Sequence, residues 1–215
     1  VEREAIECVI FDCDGTLVDS ELLSNVALSS ALLEIGVDET GERLLQRYRG
    51  GRMALMLADL EARHGLTLPE GFEADYRARV AALFERELRA VDGVKAVVEA
   101  LTVLYCVASS GPRHKIELSL RVTGLWELFE GRIFSAYEVG SWKPEPDLFL
   151  HAAAQLGRAA AHCAVVEDSL LGAQAAASAG MRCCLYDPDG ALPGGDVFGA
   201  QLFRSMTELP ALLSR

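Results

Sequence analysis

The chain has 215 residues, 51% of them hydrophobic, with 32 acidic against 20 basic side chains and a formal net charge of −12. That length can bury a substantial core, and the charge excludes a broad basic surface of the kind that holds nucleic acid or an anionic membrane. No run reaches the ~18 to 20 apolar residues of a membrane span, and the beginning Val1-Glu2-Arg3-Glu4 lacks a signal-peptide pattern. Six cysteines, at 8, 13, 106, 163, 183 and 184, show neither CxxC nor zinc spacing. They are expected to be reduced core residues of a soluble cytoplasmic protein.

The first apolar run, Ala5 to Phe11, ends in Asp12-Cys13-Asp14-Gly15-Thr16. Two acids spaced i, i+2 on an extended backbone project to one side, Gly15 lets the chain turn, and Thr16 offers a hydroxyl. Acids so placed at a strand end suit a metal and a nucleophile, the needs of phosphoryl chemistry. Further apolar runs at 102–108, 161–166 and 181–186 alternate with segments of helical period. This alternation predicts an α/β fold with a doubly wound parallel sheet, a Rossmann-like core. Polar residues follow three of the runs: Asp12, Ser109 with Ser110, and Glu167 with Asp168. In such sheets ligands bind beyond the carboxyl ends of the strands, so these three endings are expected to converge on one crevice.

A strand-helix-strand unit takes ~30 residues or slightly more, yet the first two runs lie much farther apart. The surplus predicts a helical cap inserted after the first strand. Met53, Met56, Leu57 and Leu60 follow i, i+3, i+4, i+7, and Val80, Leu83, Phe84 and Leu88 repeat the stripe. Turn residues around Val18-Asp19-Ser20 and Ala90-Val91-Asp92-Gly93 place the hinges there. The expected division is a core of residues 1–18 and 90–215 and a cap of residues 19–89. Beyond the insert, helices are predicted over Val94 to Leu101, Pro112 to Arg121, Asp147 to Leu156 and Leu170 to Ala179. Asp187 to Gly199, rich in Gly, Asp and Pro, is expected to be loop.

Asp12-Cys13-Asp14-Gly15-Thr16, the strand-end Ser109, Lys143 before Pro144, and Glu167-Asp168 followed by Gly172 resemble the four motifs of the haloacid dehalogenase superfamily. The resemblance covers nearly the whole chain, and four motifs in order on the expected strand ends are specific. It implies that Asp12 is the nucleophile and forms an aspartyl-phosphate, and that Asp14 is the acid and base. It also implies that Ser109, the main-chain N–H of Ser110, the loop through Thr16, and Lys143 hold the phosphoryl group. Asp12, Asp168, Glu167 and the main-chain carbonyl of Asp14 would supply oxygen ligands to magnesium.

Longer stretches, Phe11 to Glu21, Ser110-Gly111-Pro112 with Lys115, and Ser141-Trp142-Lys143-Pro144, are similar to bacterial sugar-phosphate phosphatases of this superfamily. They imply a small phosphorylated sugar or sugar acid such as 6-phosphogluconate. Ser110 stands where that group carries asparagine. Arg49, Gly50 and Arg52 fall where the family places a specificity loop, and Lys115 near the entrance is a further candidate for substrate binding. His64 and His151 are expected to be ordinary helix residues. A monomer or weak homodimer is expected, and the rival readings are a phosphomutase and a non-enzymatic binding module.

Overall fold

The structure, a computed structural model, describes residues 5–192 and 196–214. Its centre is the strand β1 (Cys8–Phe11), four residues with no exposed side chain. A strand buried on both faces carries an unbroken apolar run, and Val9, Ile10 and Phe11 supply it. Between β1 and the next strand lie four helices, α1 (Glu21–Glu34), α2 (Gly41–Tyr48), α3 (Met53–His64) and α4 (Phe72–Glu87), and then α5 (Val94–Ala100). The chain continues through β2 (Leu104–Ser109), α6 (Arg113–Val122), α7 (Trp126–Phe129), β3 (Ile133–Ser135), α8 (Ala136–Val139) and α9 (Asp147–Gln155). It closes with β4 (Cys163–Glu167), α10 (Leu170–Ser178), β5 (Arg182–Tyr186), β6 (Gln201–Phe203) and α11 (Leu209–Leu213).

The strands form one sheet in the order β3-β2-β1-β4-β5-β6, and every neighbouring pair is parallel. The order reverses at β1, which pairs with β2 on one side and β4 on the other, so the crevice at a topological switch point opens at its carboxyl end. Register sets the tips level: Phe11 lies beside Val107 and Val166, and the Asp12 N–H donates to the Val166 carbonyl at 2.9 Å. Asp12, Ser109 and Glu167 thus leave the sheet within two residues of a common line.

Two cores flank the sheet. One packs Val9, Phe11 and Val107 against α5 and α6 and continues into the inserted helices through Leu28, Leu60, Val80 and Phe84. The other buries Cys8, Ile10, Cys106 and Val165 against Phe149, Ala152 and Ala176 of α9 and α10. The predicted stripes take these places: Leu60 and Val80, Phe84 and Leu88 are buried, while Met53, Met56, Leu57 and Leu83 pack at the margin. The insertion joins the sheet through a narrow neck, where Val18 and Ala90 form an antiparallel bridge and Asp19 N–H donates to the Arg89 carbonyl at 3.0 Å. No described helix is long and apolar enough to cross a membrane, and all six cysteines are free and buried.

The predicted helices beyond the insertion match α5, α6, α9 and α10 to within a residue or two. Two strands escape the sequence pattern. β3 and β6 are three residues long and lie at the two edges of the sheet, too short for an apolar run and paired on one side only. The described parts of Asp187 to Gly199 contain no helix or strand, and residues 193–195 lie outside the described residues.

Candidate active site

Asp12 is the first residue beyond β1 and is buried. Its Oδ1 accepts from Lys143 Nζ at 2.5 Å, and the same ammonium donates to Glu167 Oε1 at 2.6 Å. Lys143 is itself buried, in the turn before α9. Burial alone would lower its pKa, but Asp12 and Glu167 outweigh that and shift it upward, so the ammonium stays charged at neutral pH. Burial pushes the Asp12 carboxyl up to about 7 against the pull of Lys143, with Glu167 and Asp14 adding to the rise.

Glu167 is held from four directions. Besides Lys143, its Oε2 accepts from the N–H groups of Asp168 and Ser169 at 2.9 and 2.8 Å and from Ser169 Oγ at 2.8 Å. Ser169 caps α10 at the same time, its hydroxyl accepting from Gly172 N–H at 3.0 Å. The carboxylate fits because residue 172 has no side chain: a methyl group there would overlap it. Glycine to alanine inside a helix ordinarily stabilises by about 1 kcal/mol. Gly172→Ala is expected to reverse that sign and destabilise by about 1–3 kcal/mol, which urea unfolding measures. Gly15, at φ +76°, has the same relation to the Asp168 carboxylate.

Asp14 does not join this group through its side chain. Its oxygens accept from Lys115 Nζ at 2.8 and 2.9 Å, and Oδ1 also accepts from Ser20 Oγ at 2.6 Å. Burial would raise its pKa, but Lys115 and Ser20 overcome that and lower it. Lys115 shifts upward in turn, because Asp14 outweighs its burial.

Oxygens of Asp12, Glu167 and Asp168 lie within 4.8 Å of one another, the one such group of potential metal ligands among the described residues. The donor set is all oxygen, as magnesium requires. The Asp14 carboxylate lies outside it, so this residue could contribute only through its main chain. Burial, with repulsion from Glu167, Glu21 and Asp12, raises the Asp168 pKa well above the carboxylate range, and Arg49 opposes the rise. Such a cluster of buried acids favours a dication.

A single pocket is lined by Asp12, Asp14, Ser109, Ser110, Lys115, Lys143, Glu167 and Asp168 from the sheet side and by Gly50 from the insertion. Tyr48, Met53, Tyr76, Arg77 and Phe84 complete the wall on the insertion. Ser109 is buried, and its Oγ accepts from Gly111 N–H at 3.0 Å, leaving its own proton to donate. Three predicted residues sit elsewhere. Thr16 is fully buried outside the pocket wall, its hydroxyl without a hydrogen-bond partner among the described residues. Arg49 lines the neighbouring groove, and its Nε donates to Asp168 Oδ2 at 3.3 Å. Arg52 stacks 4.0 Å above the Trp142 ring in that groove. Gly50 follows Arg49 at φ +69°, against Ser169 of the acid turn, where a side chain would collide.

Sequence reasoning quoted Glu21 within a motif but gave it no role. It opens α1 and lines the pocket beside Asp12 and Asp14. Burial pushes its carboxyl up to about 7, helped by Asp14 and opposed by Lys115 and Arg49. An acid in the first turn of a helix reads as a partner for the helix dipole, and this hides the pocket-facing position.

The sequence matches the family model described as haloacid dehalogenase-like hydrolase over residues 6–180. It is 38% identical over 186 residues to 6-phosphogluconate phosphatase of Escherichia coli strain K12, covering 86% of this chain and 84% of that protein. It is 31% identical over 212 residues to hexitol phosphatase B of the same strain, covering 96% and 95%. Among solved structures, a haloacid dehalogenase-like protein of unknown function from Agrobacterium tumefaciens superimposes with a TM-score of 0.83 at 32% identity, covering 97% of this chain and 98% of that one. The acids at the switch point, the lysine between them and the helical insertion after β1 all sit within the matched span, and the chain belongs to the haloacid dehalogenase-like hydrolase family.

Proposed function

We propose that the protein is a magnesium-dependent phosphatase that hydrolyses a small phosphorylated sugar or sugar acid through an aspartyl-phosphate. One observation carries this reading: a buried carboxylate, Asp12, shares an ammonium with Glu167 at the carboxyl end of the central strand. A second acid, Asp14, is held at the same pocket wall. The similarity to 6-phosphogluconate and hexitol phosphatases supports the substrate class.

In the proposed reaction, an Asp12 oxygen attacks phosphorus as the bond to the leaving oxygen breaks in line. Lys143 meets the charge that builds on the phosphoryl oxygens, and the Ser109 hydroxyl and Ser110 N–H donate to them. Asp14 gives its proton to the leaving alkoxide. It then takes a proton from the water that attacks the aspartyl-phosphate, and inorganic phosphate leaves as the Asp12 carboxylate is restored. Lys115 holds Asp14 in its charged form, so Asp14 must first take up a proton from solvent as that contact loosens on substrate binding, and this is the proton it gives to the leaving oxygen. Magnesium on Asp12, Asp168 and Glu167 would neutralise their repulsion and polarise the phosphoryl oxygen. Residues 19–89 act as the cap, covering the pocket during the reaction and opening to exchange product.

The test is a panel of 6-phosphogluconate, hexitol phosphates, 2-deoxyglucose 6-phosphate and phosphoglycolate, assayed for released phosphate with magnesium and with a chelator. Magnesium-dependent release, fastest on a sugar-acid or hexitol phosphate, is expected. Release that persists in chelator rejects the metal. Conversion of a hexose 1-phosphate to its isomer without inorganic phosphate would make the enzyme a mutase.

A further inference from the structure

Five acids line the pocket: Asp12, Asp14, Glu21, Glu167 and Asp168. Four of them are engaged by protein cations: Asp12 and Glu167 by Lys143, Asp14 by Lys115, and Asp168 by Arg49. Glu21 differs. Among the described residues no hydrogen bond or ion pair engages its carboxylate. A half-buried carboxylate that faces the pocket without a protein partner is left to meet a ligand there, and a role confined to the helix dipole would be met as well by an acid facing solvent.

Its position is fixed from both sides. Ser20, the residue before it, is tied to Asp14 through the hydroxyl, and Asn25 Nδ2 donates to the Glu21 carbonyl at 2.8 Å. The charged groups around Glu21 include Asp14, Lys115, Arg49 and Glu167, and Glu21 in turn raises the pKa of Asp168. Through Ser20 it stands beside Asp14 at the pocket wall, the acid that the proposed reaction sets against the ester oxygen.

We propose, resting on the phosphatase reading, that Glu21 is the residue that selects the leaving group, accepting a hydrogen bond from the hydroxyl on the carbon next to the phosphoester carbon. In its ionised form the carboxylate accepts and does not donate, so above about pH 7 it rewards hydroxyls and repels an anion at that place. Three consequences follow for the substrate. An acyclic polyol or aldonic acid phosphate presents a free hydroxyl there. A pyranose 6-phosphate has its ring oxygen at that carbon, which cannot donate. Phosphoglycolate puts a carboxylate at the same place, against Glu21. The class selected is therefore the open-chain polyhydroxy phosphate, whose acid group, if present, lies at the far end of the chain.

The experiment pairs substrates that differ only in this hydroxyl, glycerol 3-phosphate and 3-hydroxypropyl phosphate, with wild type, Glu21→Gln and Glu21→Ala. In wild type the hydroxylated member is expected to have the higher kcat/KM by about 10-fold to 100-fold, the range of a charge-assisted hydrogen bond. Glu21→Ala is expected to bring the ratio close to one, and Glu21→Gln, which keeps a neutral acceptor, to fall between. Equal thermal midpoints show that the variants are folded. A ratio that survives in Glu21→Ala, or a wild-type ratio near one, overturns the assignment. The same comparison by calorimetry in Asp12→Asn protein reads binding alone. If wild type releases no phosphate from any substrate, the phosphatase reading fails, while the calorimetric ratio still decides the role of Glu21.

Discussion

Asp12→Asn is expected to reduce phosphate release by on the order of 10⁴-fold or more, the scale seen when a covalent nucleophile is removed. The protein is expected to remain folded and, without added metal, to become more stable at neutral pH. The reason lies in the charges around Lys143. Two buried carboxylates share one ammonium, and burial holds the Asp12 carboxyl at about 7, above its ordinary value of 3.8. Between those values the folded protein keeps a proton that the unfolded chain has released. Stability contributed by Asp12 is thus fully present below about pH 4 and is lost as pH rises through about 7. Asparagine removes this dependence and leaves Lys143 paired with Glu167 alone. Thermal unfolding of both proteins in chelator from pH 5 to 8 checks the sign: the midpoints should separate as pH rises. A variant that unfolds at all pH values, or one that still turns over, contradicts the assignment.

Lys143→Met is expected to produce the opposite pattern, with activity and stability lost together. Removing the ammonium leaves Asp12 and Glu167 buried side by side without their counter-charge, and breaking a buried pair by deleting one partner costs about 3–5 kcal/mol. The cost is concentrated because Glu167 also holds the Asp168-Ser169 turn. Chemical denaturation should show a midpoint shift of that size at neutral pH. Acid, by protonating the stranded carboxyls, should recover part of it. Magnesium should recover part as well, since a dication on the same oxygens supplies the missing positive charge. An unchanged midpoint would mean that the ammonium contributes nothing to the fold.

The parallel sheet, the helical insertion and the meeting of three strand tips were legible because each rests on a local pattern: unbroken apolar runs, surplus length before the second run, and acids or serines just after the strands. β3 and β6 were not legible because a three-residue edge strand is specified by its neighbour in the sheet more than by its own composition. At the site, Asp12, Glu167 and Asp168 fall together because the register of β1 and β4 brings them together, and Lys143 reaches them from the turn before α9. Thr16 shows the opposite limit. Its hydroxyl follows two catalytic-looking acids in sequence, yet the turn at Gly15 carries it into the interior instead of the pocket. Arg49 was placed with the substrate-binding loop, whereas the ion pair it makes with Asp168 spans 119 positions and has no signature along the chain.

The contact between Arg49 and Asp168 gives the loop a second property. Guanidinium and any cation taken up by the three acids would draw on the same Asp168 carboxylate, so whatever loosens one would strengthen the other by an equal factor. Any ion affinity of these three acids would accordingly be set partly outside the acids themselves. A shorter or longer basic residue at position 49 would retune it without altering a single ligand.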